Sequence, residues 1–163
     1  MTTDRFWAIV DGVNAASAGD MDMKCALLGR ELRGLPAEEV KSFSDHFDDA
    51  LDAAYSWDLW AAAYIIGGGC SDDAFSDFCA TLLSRGRSDF ESALADPESL
   101  ADTDIDEDSG FYEGYQYVAD EVYEEMTGRT PKRSKPHPES PSGVDFDEET
   151  VGERYPRLAK KHG

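Results

Sequence analysis

The stretch from Leu59 to Asp102, LWAAAYIIGGGCSDDAFSDFCATLLSRGRSDFESALADPESLAD, leaves this chain little choice of architecture. Trp57, Trp60, Ala61, Tyr64 and Ile65 fall on one broad helical face, and their neighbours are mostly apolar too. A helix that is apolar all round belongs inside a bundle, covered on most sides. Gly67, Gly68 and Gly69 stop it. Ser71 then stands where a side-chain oxygen caps the next helix, with Asp72 and Asp73 at the positive end of its dipole. Phe75, Phe78, Leu82 and Leu83 face inward, and Arg85-Gly86 closes that helix. Ser88 and Glu91 have capping-box spacing for a short sixth helix through Phe90 and Leu94, stopped at Asp96-Pro97.

The flanks follow the same period. Phe6, Val10 and Val13 recur at helical spacing with Trp7 beside them, in a first helix starting near Thr3. Asp20 caps a second helix carrying Met23, Leu27, Leu28 and Leu32. Leu35-Pro36-Ala37-Glu38-Glu39 opens a third, whose stripe is Val40, Phe43, Phe47, Leu51 and Tyr55. After an acidic run from Asp102 to Asp108, a last long helix is expected over roughly 110–127, with Tyr115, Val118, Ala119, Val122 and Met126 inward and Gly128 beyond its end. Period-two alternation is absent. The prediction is an all-α fold: a single compact bundle of about six or seven helices with a Pro-rich C-terminal tail.

The tail announces itself by composition. Five of the seven prolines lie beyond Gly128, among Ser, Lys and His. Residues 1–128 carry 29 acidic and 7 basic side chains, a balance of −22, whereas residues 129–163 carry 6 and 8, a balance of +2. The expected organisation is therefore an acidic helical domain over 1–128 and a Pro/Lys-rich tail over 129–163, flexible or docked on the body by opposite charge. Val144-Asp145-Phe146 and Tyr155-Pro156-Arg157-Leu158 are the islands fit to dock. So acidic a body repels phosphates, which argues against direct nucleic-acid binding and favours basic partners or cations.

Eighteen aromatics supply large buried surfaces and argue for a folded body. No apolar segment approaches the roughly 20 residues of a membrane span, and no leader-like N-terminus is seen, so a cytoplasmic protein is expected. Cys25, Cys70 and Cys79 show neither C-x-x-C spacing nor a nearby histidine set, which leaves a disulfide framework and a zinc site without support. Cys25 and Cys79 fall among apolar positions as small core residues.

Several residue groups invite chemistry. The Gly67–Asp73 turn has the glycines of an anion cradle, but Asp72 and Asp73 occupy the positive helix end and no Lys follows, so a capped corner is favoured. Cys70 stands at a helix start, which lowers a thiol pKa, while two adjacent carboxylates raise it. His46, beside Asp45, is the only histidine of the body and shares no signature with Cys70. Asp73 and Asp77 lie one turn apart on one side of their helix. Trp60, Tyr64, Cys70, Asp72, Asp73 and Asp77 make up the candidate ligand or partner site; no catalytic set is assigned. Asp102, Asp104, Asp106 and Glu113 have calcium-loop spacing, yet Glu107 stands where the sharp turn wants glycine and Ser109 where an apolar residue is usual. They make a weak cation-binding candidate. The sequence points to no cofactor.

The run from Leu59 to Phe78 resembles the hallmark of a bacterial family known as domain of unknown function 4240. There the pattern reads leucine-tryptophan-alanine-alanine-tyrosine, an apolar pair, a glycine-rich turn with cysteine, then serine-aspartate-aspartate and two phenylalanines. Arg85-Gly86-Arg87 and Asp96-Pro97-Glu98-Ser99-Leu100-Ala101 resemble its continuation, and Phe6-Trp7-Ala8-Ile9-Val10 its opening, so the likeness spans roughly residues 4–127. Cys79-Ala80 depart from it, since members tend to have arginine and tryptophan there. The resemblance implies an all-helical bacterial cytoplasmic domain and supplies no reaction; members also occur beside interaction modules. Three functional readings follow. One is a non-enzymatic acidic interaction or regulatory domain that binds a basic protein, with nucleic-acid mimicry as a special case. The others are an enzyme or small-ligand binder with a pocket between Trp60/Tyr64 and the Cys70–Asp73 corner, and a toxin-neutralising immunity protein.

Overall fold

A computed structural model describes all 163 residues. The fold is all-α. Seven helices build the body: α1 (Thr3–Ser17), α2 (Met21–Arg33), α3 (Ala37–Ala54), α4 (Trp57–Gly67), α5 (Asp72–Ser84), α6 (Arg87–Ala95) and α7 (Val118–Thr127). Short 3₁₀ turns lie at Pro97–Asp102 and Tyr115–Tyr117, and the tail adds α8 (Val151–Arg154) and α9 (Pro156–His162). There is no strand; one isolated bridge joins Ser56 to Ser142.

Local chemistry places most of the boundaries. Thr2, Asp20, Ser56 and Ser71 each accept a first-turn backbone N–H on the side chain, at the starts of α1, α2, α4 and α5. α4 and α7 end on Gly68 and Gly128, both left-handed, at φ +66° and +70°.

Two boundaries differ from expectation. α6 starts at Arg87 rather than behind a Ser88 cap, because Asp11 of α1 accepts the Arg87 N–H at 2.8 Å from across the bundle. The last helix does not begin near 110. Residues 110–114 run irregularly, Gly114 takes φ +133°, and the Tyr112 N–H is taken by Thr81 Oγ1 at 3.0 Å. Met23 and Met126 were expected inward but are exposed, since the stripes of their helices turn other residues to the core.

α1 packs on α2, and α7 lies against both α2 and α3. Leu59 through Ala63 of α4 are all buried, as an all-round apolar helix requires. All 33 buried apolar residues form a single cluster, and Val151, Tyr155 and Leu158 of the tail belong to it. The tail first runs along α3, then Trp57 N–H and Ser142 N–H stitch it to the start of α4. Phe146 next packs on Trp57 and Tyr64, with ring centroids at 6.1 and 5.4 Å. α9 closes over α4. Its Arg157 side chain pairs with Asp102 and its Arg157 N–H with Glu98. No helix is long and apolar enough to cross a membrane.

Candidate functional site

The six residues singled out around the glycine corner each have a place in the local packing and capping of the turn. Trp60 is stacked between Phe75 and Trp57, at 4.7 and 5.3 Å, and its Nε1–H donates to the Cys70 carbonyl at 2.9 Å. That bond holds the corner shut. Tyr64 is half-buried under Phe146. Burial, aided by Asp72 and Asp77, pushes the Cys70 thiol up to about 12, which removes the thiolate a nucleophile needs. Asp72 and Asp73 are exposed in the first turn of α5. Asp77 accepts from Gln116 Nε2 at 2.7 Å, and burial, then Glu113 and Asp73, raises its carboxyl above the usual range. Gly67 is where Phe111 approaches, since a Cβ there would meet the Phe111 ring at 2.9 Å. His46 is likewise occupied, stacked on Phe6 with Nε2 at 2.9 Å from the Met1 carbonyl.

The acidic loop is also spoken for. Asp102 pairs with Arg157, Asp104 with Arg85 at 2.8 Å, and Asp106 accepts from the N–H groups of Asp108 and Ser109. No group of three or more His, Cys, Asp or Glu is arranged to hold a metal ion. Without a glycine at 107 the loop does not wrap a central point, and Ile105 is drawn into the core instead.

The structure assembles a different site, on α3. Asp45, Asp48, Asp49 and Asp52 recur one turn apart along its outer face, and the tail segment 131–137 lies across them like a strap. Ser134 Oγ donates to Asp45 at 2.8 Å. Arg133 reaches Asp52 at 2.6 Å and Asp48 at 3.4 Å, Lys135 reaches Asp49 at 3.6 Å, and His137 Nδ1 meets Asp52 at 2.8 Å. The His137 ring also packs on Tyr55, centroids 4.6 Å apart. From Arg129 to Pro138 the strap has four Lys or Arg and no acid.

Beneath the strap is a cavity of about 360 Å³. Phe47, Asp48 and Asp52 of α3, Phe75 and Cys79 of α5, and Tyr117 and Asp120 form its walls; Pro131, Arg133 and His137 roof it. Ser44 donates to Asp120 at 2.7 Å. Asp48 is the group held least comfortably. Burial raises its carboxyl above the usual range, and the opposing pull of Arg133 does not cancel this. Aromatic walls with inward carboxylates suit a flat cation such as guanidinium, through ion pairing and contact with ring faces. Neither Tyr117 nor the carboxylates of α3 stand out in the sequence, where aspartates at helical spacing have the look of a solvated helix face. The missed signal was that the acidic spacing of α3 has its complement in the basic run at 132–137.

Fold and site together define an all-helical acidic domain that carries a basic segment of its own chain on one helix face. The family model described as Protein of unknown function (DUF4240) matches residues 1–125, most of the chain and all of α1 to α6. The chain belongs to that family. No curated protein and no solved structure matches it.

Proposed function

We propose that this chain is a non-enzymatic acidic interaction domain that binds a basic segment of a protein partner in the α3 groove, with its own strap as the competing occupant. The reading rests on one observation: Arg133, Lys135 and His137 seated on Asp48, Asp49 and Asp52. That seating supports a partner of the same chemistry, an extended, proline-interrupted segment with cations two residues apart. Ion pairs that keep partial access to water contribute on the order of 1 kcal/mol each, so the strap is held by a few kcal/mol. Tethering gives it an effective concentration on the order of millimolar, which a partner binding in the micromolar range or tighter overcomes. The −22 balance of residues 1–128 steers such a partner in and turns nucleic acid away.

The test is direct. Arg133→Glu with Lys135→Glu in the full chain replaces attraction by repulsion and unseats the strap. A labelled peptide with the sequence of residues 129–138 is then titrated against this variant and the natural chain by fluorescence anisotropy. The variant is expected to bind the peptide about tenfold tighter or more, with affinity falling as salt rises. Adding Asp48→Asn and Asp52→Asn removes that binding. A variant that takes up no peptide, or takes it up equally well without Asp48 and Asp52, overturns the proposal.

A further inference from the structure

A second cavity, of about 520 Å³, lies between α2, α5 and the loop after α6, and it shares no lining residue with the α3 groove. Lys24 of α2 stands in its wall and is only 3 % exposed. Lysine is almost never so buried unless a carboxylate pairs with it. Lys24 has no such partner. Its Nζ makes one hydrogen bond, to Ser84 Oγ at 3.2 Å, and Ser84 spends its own proton on the Thr81 carbonyl at 2.6 Å. An ammonium carries three donors, so two remain to be satisfied. Burial, with the positive charge of Arg85 nearby, lowers this amine to about 8.

Around this one buried cation the walls are polar. Asn14 gives its Nδ2 to the Arg85 carbonyl at 2.9 Å, which leaves its amide oxygen free. Arg85 is committed elsewhere, held by Asp89 at 3.1 Å and Asp104 at 2.8 Å. Asp104 and Asp108, both well exposed, stand at the outer margin with Asp106. The charge pattern is thus positive within and negative at the rim. A polyanion would meet the rim carboxylates, and a simple cation would meet Lys24. The arrangement fits a molecule with an anionic end to go in and a cationic end to stay out.

We infer that this cavity is a binding site for a small zwitterion of the α-amino-acid kind, its carboxylate on Lys24 and its ammonium at the rim aspartate Asp108, the one carboxylate of the rim that no side chain of the protein engages. A cavity of this size lies within the ordinary range for small-molecule sites. This ligand is additional to the basic segment of the α3 groove, and either site stands without the other.

The full chain is titrated by calorimetry with each standard α-amino acid up to about 10 mM, beside acetate, methylamine and inorganic phosphate. At least one amino acid is expected to bind with a Kd of about 1 mM or below, and the three simple ions at least about tenfold more weakly. Lys24→Met and Asp108→Asn each weaken that ligand about tenfold or more, while neither alters strap-peptide binding in the Arg133→Glu, Lys135→Glu background. The inference is overturned if no amino acid binds, if phosphate or acetate binds as well, or if Lys24→Met or Asp108→Asn leaves affinity unchanged.

Discussion

An ammonium group taken out of water without a counter-charge weakens the fold that contains it. Lys24 is close to such a group: Ser84 is its single hydrogen-bond partner, and Asp104 and Asp89 offset its burial only in part, without contact. Its amine titrates at about 8 in the folded chain against 10.5 when free. Across that window the unfolded chain binds the extra proton, so the share of stability that Lys24 controls rises with pH from about 8 to about 10.5, while the shares of Cys70 and Tyr155 fall. Lys24→Met keeps the stem and removes the charge. It is expected to raise unfolding free energy by about 1–3 kcal/mol near neutral pH, with the gain fading toward zero above the free-amine value. Urea melts of both chains at neutral pH and near pH 10.5 check this; a gain that is equal at both would mean the charge is not the cause. In the sequence Lys24 sits beside Cys25 as one cation among polar neighbours. Its burial follows from α5 and the 104–112 loop closing over α2, a long-range event with no local signature.

At the scale of single helices the sequence was most legible where the stabilising partner lies within one turn. Asp20 and Ser71 cap their own helices, and these starts were readable within a residue or two. α6 shows the converse. Ser88 and Glu91 have the spacing of a capping box, but the helix begins one residue earlier on Arg87, whose N–H goes to Asp11 Oδ1 of α1. The chain can make that approach because residue 86 is glycine at φ +106°, where an added Cβ would meet the same Asp11 oxygen at 2.6 Å. Asp11→Ala therefore leaves a first-turn donor of α6 without its acceptor, at an expected cost of about 1 kcal/mol in urea-induced unfolding. Asp11→Asn, which retains an acceptor oxygen, costs less than half as much. Equal losses in the two variants would assign the effect to packing of α1 instead. The candidate site failed to be legible for the same reason as the cap. Tryptophan, cysteine and paired aspartates at the Gly67–Asp73 corner are conspicuous in sequence, yet each is explained by the local turn. The α3 carboxylates look like any solvated face until residues 131–137, far along the chain, come to lie on them.

For the molecule as a whole, two electrostatic effects of opposite sign meet in one chain, and salt separates them. Residues 1–128 repel themselves through a net charge of −22, whereas the strap is attracted to α3 through Arg133, Lys135 and His137. Screening weakens both, and over separations beyond a Debye length of about 10 Å at 0.1 M it removes most of the interaction. The body, however, is also held by one apolar cluster that salt does not loosen, and that cluster includes Leu158 and Tyr155 of the tail's last helix. The strap has no such anchor between Arg129 and the stitch at Ser142; apart from the His137–Tyr55 contact its attachments are mainly polar. Raising sodium chloride from about 0.05 M to about 0.5 M is therefore expected to raise the melting temperature, as self-repulsion is relieved. Over the same range tryptic cleavage after Lys132 and Arg133 should accelerate selectively, while Arg157 of α9 keeps its protection. Cleavage that stays slow in the strap at high salt would mean that prolines and packing, not charge, hold it in the groove. A basic partner could then displace it only by remodelling α3.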